Sequence, residues 1–290
     1  MLTTSTVDKW LASGYQASSV VGVYRRSCNL INHACKFLTL ATTEIGPGPF
    51  TMVIELLNSG CLDFRDYLDV NDEISIGQNY LAAGRLVINT QQPVLWESMI
   101  NWEKFANFTD YSWLPFLRQQ LINNAPKPSF ALLLEANNSD PFIIQARKGL
   151  DILEQGLKRH FLADILRGVE LLAGLGLGLT PAGDDFLLGV IFAVWMNLPT
   201  TIAKQWCPQI HQVAAARTTR LSGYWLEVAA NGHASKPWHD LLNDIYDLNE
   251  KRMWESAQGL GDYGYSSGYD ALAGFVMASS RLKIPSPEVD

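Results

Sequence analysis

The sequence predicts an α+β protein in which an N-terminal antiparallel β sheet or small barrel is followed by a mainly α-helical C-terminal domain. Three observations predict it. Between residues 20 and 97 the apolar residues come in short runs rich in β-branched and aromatic side chains, each ended by turn formers. From residue 143 onward they recur at spacings of three and four, the period of a helix face. Between these textures Pro126-Lys127-Pro128 interrupts any regular element. The boundary is therefore expected near residue 135, with a β-rich domain and connecting helices over 1–135 and a helical domain over 136–290.

Taken in order, Val20-Val21-Gly22-Val23-Tyr24, Phe37-Leu38-Thr39-Leu40 and Phe50-Thr51-Met52-Val53-Ile54 are strand candidates. Turns at residues 29–32 and at Gly46-Pro47-Gly48-Pro49 separate them, because a Gly/Pro cluster continues neither a helix nor a central strand. Ile74-Ser75-Ile76-Gly77 and Leu86-Val87-Ile88-Asn89 add two more strands. Residues 96–108 and 113–121 carry helical spacing, and 130–134 fit either a helix or a last strand. Further helices are expected at 143–154, 161–172, 186–197, 202–230, 238–248, 251–260 and 269–281. Gly232 should stop one of them, with Ser235 capping the next and Pro237 in its first turn. The end, Ile284-Pro285-Ser286-Pro287, reads as a frayed tail.

Composition narrows the function. In 290 residues, 22 Lys and Arg against 29 Asp and Glu give a net charge of −7, which argues against sequence-independent nucleic-acid binding. Hydrophobic residues make up 48% and charged residues 18%, which excludes a disordered chain and leaves apolar surface for a partner subunit. No apolar run is long enough to span a bilayer, the longest being residues 186–198, so no membrane is expected. With no signal-peptide pattern at the start, the expected location is cytoplasmic. Cys28, Cys35, Cys61 and Cys207 lack metal or redox spacing and read as free thiols. His33, His160, His211, His233 and His239 show no ligand spacing either. P-loop and H-E-x-x-H motifs are missing from the sequence.

The informative stretch is Gly174-Leu175-Gly176-Leu177-Gly178-Leu179-Thr180-Pro181-Ala182-Gly183-Asp184-Asp185-Phe186-Leu187-Leu188-Gly189. Alternating glycines admit positive φ and let backbone N–H groups approach a ligand. The loop then feeds the N-terminus of an apolar and therefore central helix, which favours an anion. A second copy follows 85 residues later: Gly183-x-Asp185-x-Leu187-x-Gly189 matches Gly268-x-Asp270-x-Leu272-x-Gly274, with Thr180 before the first and Ser266 and Ser267 before the second. Gly189 and Gly274 would let the two helices cross closely, turning both Asp side chains toward one small volume. The bland alternative is that each Asp is a helix-start residue, favoured there by about 0.5–2 kcal/mol. Carboxylates beside an anion pocket also repel the anion. Asp184, Asp185 and Asp270 are thus either orienting groups or Mg²⁺ ligands. Arg217-Thr218-Thr219-Arg220-Leu221-Ser222, placed inside a long helix, completes the constellation, with Arg217 or Arg220 a guanidinium for a phosphate or carboxylate and the hydroxyls available to it.

Residues 176–189, Thr218-Thr219 with Ser222, residues 232–242 and Ser267-Gly268-Tyr269-Asp270-Ala271-Leu272-Ala273-Gly274 together resemble a bacterial family that includes the H subunit of oxamate carbamoyltransferase. The resemblance is close over residues 172–281 and looser before them. It implies carbamoyl transfer between carbamoyl phosphate and oxamate or oxalurate, late in allantoin and purine breakdown, by a subunit acting with other protein subunits. One departure stands out, since the family's usual Gly-Pro-Gly is Gly176-Leu177-Gly178 here. The paired Asp residues at helix starts also look locally similar to Mg²⁺-dependent ADP-ribosyl glycohydrolases, and a non-catalytic assembly subunit is a third reading. In the favoured reading, Gly176, Gly178, Thr180 and Gly183 cradle a small anionic substrate such as carbamoyl phosphate, together with Thr218, Thr219, Ser222, Ser267 and Gly268. Arg217 or Arg220 neutralises it, and Asp184, Asp185 and Asp270 orient donors or hold Mg²⁺.

Overall fold

The computed structural model describes residues 2–8, 19–56, 62–135, 140–262 and 264–282. Cys61 and the tail at 284–287 lie outside the described residues. The fold is α+β, a nearly closed mixed sheet followed by a helical region. Two compact units emerge from the packing, Met1–Met99 with Ala234–Lys236, and Ile100–His233 with Pro237–Asp290.

In the first unit the strands are β1 (Leu2–Asp8), β2 (Ser19–Val23), β3 (Ser27–Ile31), β4 (Phe37–Thr42), β5 (Thr51–Leu56), β6 (Ile74–Ile76), β7 (Tyr80–Ala83), β8 (Leu86–Asn89) and β9 (Val94–Trp96). Their order is β2-β3-β4-β5-β1-β8-β7-β6, with β9 also pairing β1. The β4–β5, β1–β8 and β1–β9 pairs run parallel, so the expected antiparallel pattern holds for only part of the sheet. A bridge between Ser19 and Glu73 and the Asn71 N–H bond to the Val20 carbonyl (2.8 Å) bring the β2 and β6 ends together. Closure of this kind removes exposed strand edges. β4 is buried along its whole length, and Leu30, Leu40, Ile54, Phe64 and Ile88 fill the interior. The buried carboxylate of Asp8 is fully used, accepting from the Phe50 N–H (2.9 Å) and the Ser98 hydroxyl (2.8 Å). β1, β3, β7 and β9 stand where no strand was expected. The expected turn at residues 29–32 is partly strand, because Asn29 is buried there and its Oδ1 accepts from the Thr39 hydroxyl at 2.9 Å.

The second unit contains α1 (Trp113–Asn124), α2 (Pro141–Lys158), α3 (Leu162–Leu172), α4 (Ala182–Asn197), α5 (Thr200–Ala215), α6 (Arg220–Ala230), α7 (Lys236–Tyr246), α8 (Glu250–Gly261) and α9 (Ser267–Leu282). Short 3₁₀ turns cover Trp102–Phe105 and Phe130–Leu134. Two expected helices are corrected. Residues 96–108 are not a helix: Trp96 ends β9, and the Ile100 N–H bonds to the distant Gly232 carbonyl at 3.1 Å. The apolar spacing there comes from side chains buried in different places. Residues 202–230 form two helices, broken at 216–219, where Thr219 turns extended (ψ 157°) and caps α6 by accepting from the Ser222 N–H at 3.1 Å.

Helix α4 is the centre of this unit, buried on nearly every side. It crosses α9 at backbone contact. A Cβ on Gly189 would lie 1.8 Å from the Ala271 carbonyl oxygen, and one on Gly274 would lie 1.9 Å from the Phe186 carbonyl oxygen. These contacts are reciprocal under the 85-residue repeat, which carries Phe186 to Ala271 and Gly189 to Gly274. The repeat extends to the preceding helices. Gly183 rests on the Leu172 carbonyl that ends α3, and Gly268 on the Leu260 carbonyl near the end of α8. At the other end, Asn197 donates to the Ser279 hydroxyl at 3.0 Å. Aromatic side chains wall the crossing, among them Trp113 stacked on Phe275 and Phe130 tilted on Phe186.

Gly189→Ala and Gly274→Ala should each destabilise the chain by about 2 kcal/mol or more, since a methyl must displace backbone rather than a flexible side chain. Gly223→Ala, whose added Cβ meets nothing closer than 3.6 Å, should be neutral or slightly stabilising. Urea unfolding of the three variants checks this, and a neutral Gly189→Ala would show that the crossing is slack.

Candidate functional site

The crossing sets the first turns of α4 and α9 beside each other. Asp185 and Asp270 are the fourth residues of their helices, and Asp184 precedes Asp185. Helix α4 begins at Ala182, so the two Asp residues sit within its first turn rather than ahead of it. All three stand in the first turn of their helices, where the dipole favours a carboxylate. The Asp184 carboxylate is held by the Gly174 N–H (2.8 Å), the Ser222 hydroxyl (2.9 Å) and the Thr218 hydroxyl. Asp184 thereby ties the glycine loop and the α5–α6 break to the start of α4. Burial raises its pKa, and these three donors oppose the rise.

Asp185 and Asp270 are satisfied far less well. Asp270 is fully buried, and its Oδ1 accepts from the Phe130 N–H at 2.6 Å. Asp185 retains some exposure as a residue, but its Oδ2 does not. Both Oδ2 atoms are closed to solvent and have no hydrogen-bond partner. An unpaired buried acceptor costs about 1–3 kcal/mol. Thr180 and Ser267, whose hydroxyl oxygens are 3.4 Å apart, lie beside Asp185. Burial first, and then the charges of Asp270 and Asp184, push the Asp185 carboxyl well above the usual range, against the hydroxyls of Ser267 and Thr180. Burial pushes Asp270 up to about 7, against the Phe130 N–H and the Ser266 hydroxyl. The two groups thus resist ionising together.

The loop at 173–181 supplies the opposite polarity. Gly174, Gly176 and Gly178 have φ of 75°, 116° and 98°, and the Gly183 N–H bonds back to the Leu175 carbonyl at 2.8 Å. Gly174 packs on the Arg217 carbonyl, so close that a Cβ would be 2.3 Å from it. The Thr219 hydroxyl donates to the Leu179 carbonyl. Among the described residues, nothing accepts from the backbone N–H groups of Gly176, Leu177, Gly178, Leu179 and Thr180. Residues 176–179 are exposed, and so available to an anion.

Thus Asp184, Asp185, Asp270, Gly176, Gly178, Thr180, Gly183, Thr218, Thr219, Ser222, Ser267 and Gly268 all belong to the two helix starts and the segments packed on them. Gly183 and Gly268 act as packing contacts. The guanidiniums stand apart, Arg217 in a half-exposed ion pair with Glu170 and Arg220 exposed at the start of α6. Two participants had no sequence signal, the backbone N–H groups of Gly174 and Phe130. The donor set fits a metal ion poorly. Among the described residues no three His, Cys, Asp or Glu side chains converge, and Asp184 is already saturated by donors. Of the thiols, burial pushes Cys28 up to about 12 and raises Cys207 further, while Cys35 is exposed. All three are free.

Comparison with known families decides the kinship. The family model for the oxamate carbamoyltransferase subunit AllH matches residues 172–279, and the model for the AllH family N-terminal domain matches residues 3–95. The chain belongs to the AllH family. The first match runs from the end of α3 into α9 and so contains the whole constellation of Asp, glycine and hydroxyl residues. The AllH family name is that of an enzyme subunit, which implies companion subunits. No helix among the described residues is long and apolar enough to cross a membrane. No solved structure matches the chain.

Folded Asp270 keeps its proton to about pH 7, whereas in the unfolded chain it is lost near ~3.9. The native state therefore binds more protons across that window, and stability falls as pH rises through it, by up to roughly 4 kcal/mol. Asp185 shifts in the same sense, under burial and the charges of Asp270 and Asp184. Asp270→Asn, which keeps an acceptor for the Phe130 N–H, should raise the urea midpoint at pH 8 and flatten its fall between pH 5 and 8. A lower midpoint at pH 8 would make Asp270 an ordinary structural acceptor.

Proposed function

We propose that this chain is the small-anion-holding subunit of a carbamoyltransferase of the oxamate type, moving a carbamoyl group between carbamoyl phosphate and oxamate in concert with partner subunits. The observation that carries the reading is the run of unclaimed N–H groups from Gly176 to Thr180 at the start of the central helix. Such a nest, with the helix N-terminus behind it, suits a phosphate or carboxylate. The Thr180 hydroxyl adds a donor at the inner end. Arg217 can leave Glu170 for a bound anion at small cost, because exposed ion pairs contribute only about 0–1 kcal/mol. Donors held by the fold could stabilise charge developing on the carbamoyl oxygen without reorganising.

A metal-dependent hydrolase would draw on a ligand set that the described residues do not assemble, so the carbamoyl reading is preferred. It also accounts for the family membership. An assembly role and a substrate-holding role are compatible in one subunit, and ligand binding separates a holding role from assembly alone.

Calorimetric titration of the full chain with carbamoyl phosphate, with and without Mg²⁺, tests the proposal. Saturable binding is expected in both buffers. Gly176→Ala should weaken it at least tenfold with the helical circular dichroism retained, since φ of 116° and the Ala182 nitrogen 2.8 Å from the new Cβ deform the loop locally. Absence of heat from a folded sample would assign the anion to a partner subunit.

A further inference from the structure

The fold satisfies buried carboxylates well when they are structural. Asp8 has two donors and Asp184 has three. Asp185 and Asp270 break that habit, each leaving an Oδ2 closed to solvent and without a donor. They come from two different helices, and Asp270 acts on Asp185 through its charge. What is missing there is a group that meets both oxygens at once.

Three kinds of ligand group could do so: a metal ion, an ammonium or guanidinium, or a neutral amide NH₂. Among the described residues no third His, Cys, Asp or Glu side chain joins the two. Carboxyls that resist ionising together suit a neutral donor better than a cation, whose recognition draws on two full charges. The glycine loop offers the complementary half, donors without acceptors. A ligand matching both halves carries an NH₂ at one end and an anion at the other.

We infer that Asp185 and Asp270 form the specificity pair for a substrate's primary amide, one carboxyl accepting its N–H and the other donating an O–H to its carbonyl oxygen, while residues 176–180 hold its anionic end. The inference rests on the proposed anion-holding role and deepens it. An amide presents an N–H donor and a carbonyl acceptor side by side in one plane, so an ionised and a protonated carboxyl from two crossing helices can take one each. Thr180 and Ser267 stand beside Asp185 and can donate to the amide's carbonyl oxygen. A methyl in place of the NH₂ leaves the accepting carboxylate buried and unpaired. That is the situation in which binding sites discriminate most sharply, often far beyond the roughly 10–200-fold of one extra methylene.

The test compares carbamoyl phosphate, acetyl phosphate and inorganic phosphate by calorimetry on the full chain. Acetyl phosphate keeps the anion and the carbonyl and replaces NH₂ by CH₃. Carbamoyl phosphate should bind at least tenfold more tightly than acetyl phosphate, and oxamate more tightly than oxalate. In the Asp185→Asn, Asp270→Asn double variant the carbamoyl-over-acetyl preference should fall below about threefold, with phosphate affinity unchanged. If that variant does not fold, the wild-type series alone decides. Equal binding of carbamoyl and acetyl phosphate by the wild type overturns this inference while leaving the anion-holding role standing. Binding of none of the three phosphates overturns both.

Discussion

The backbone contact between α4 and α9 is the constraint on which the helical unit depends. Two helices approach this closely only where neither carries a side chain, and Gly189 and Gly274 provide that gap reciprocally. Everything near the site follows from it. The first turns come side by side, the fourth residue of each turns inward, and aromatic side chains close around the junction. A single Cβ on either glycine would separate the helix starts and with them the two carboxylates.

Against that rigid frame stands an unfavourable electrostatic arrangement. Burial raises the pKa of both Asp185 and Asp270, the charge of Asp270 adds to the rise at Asp185, and each keeps an oxygen without a partner. The positive ends of two helices offset part of this, by about 0.3–1 kcal/mol each and up to about 2 in buried geometry. Polar groups retained in the interior against stability are characteristic of binding sites rather than of packing. Asp184 shows the contrast within one turn of helix. It has the same chemistry as its neighbour, yet three donors make it a brace for the loop and the α5–α6 break.

Much of this was legible in the sequence, for reasons that differ by element. The helix crossing could be read because the repeat fixes Gly and Asp four residues apart in both copies, a spacing that has meaning only on a helix. The α+β division was equally readable from periodicity. By contrast, β3 was hidden by Asn29, which joins a strand because Thr39 supplies its hydrogen bond, a partner that composition does not reveal. The break at 216–219 was overlooked because apolar spacing continues across it, although Thr219 carries the usual chemistry of a cap. The roles of the Gly174 and Phe130 N–H groups could not be read at all, since a backbone donor has no residue-type signature.

The 85-residue repeat has a further consequence. The helix pairs α3–α4 and α8–α9 repeat one packing scheme, yet Asp184 corresponds to Tyr269, and the glycine loop at 173–181 corresponds to a shorter connection at 262–266. The likeness of the two helix pairs is therefore broken at the site, by one side chain and by the length of one loop. A socket of that kind is keyed: a small molecule with unlike ends fits it one way round and not reversed. A carbonyl carbon seated there would present the same face to an incoming group on every turnover, and a reaction run backward would pass through the same seating.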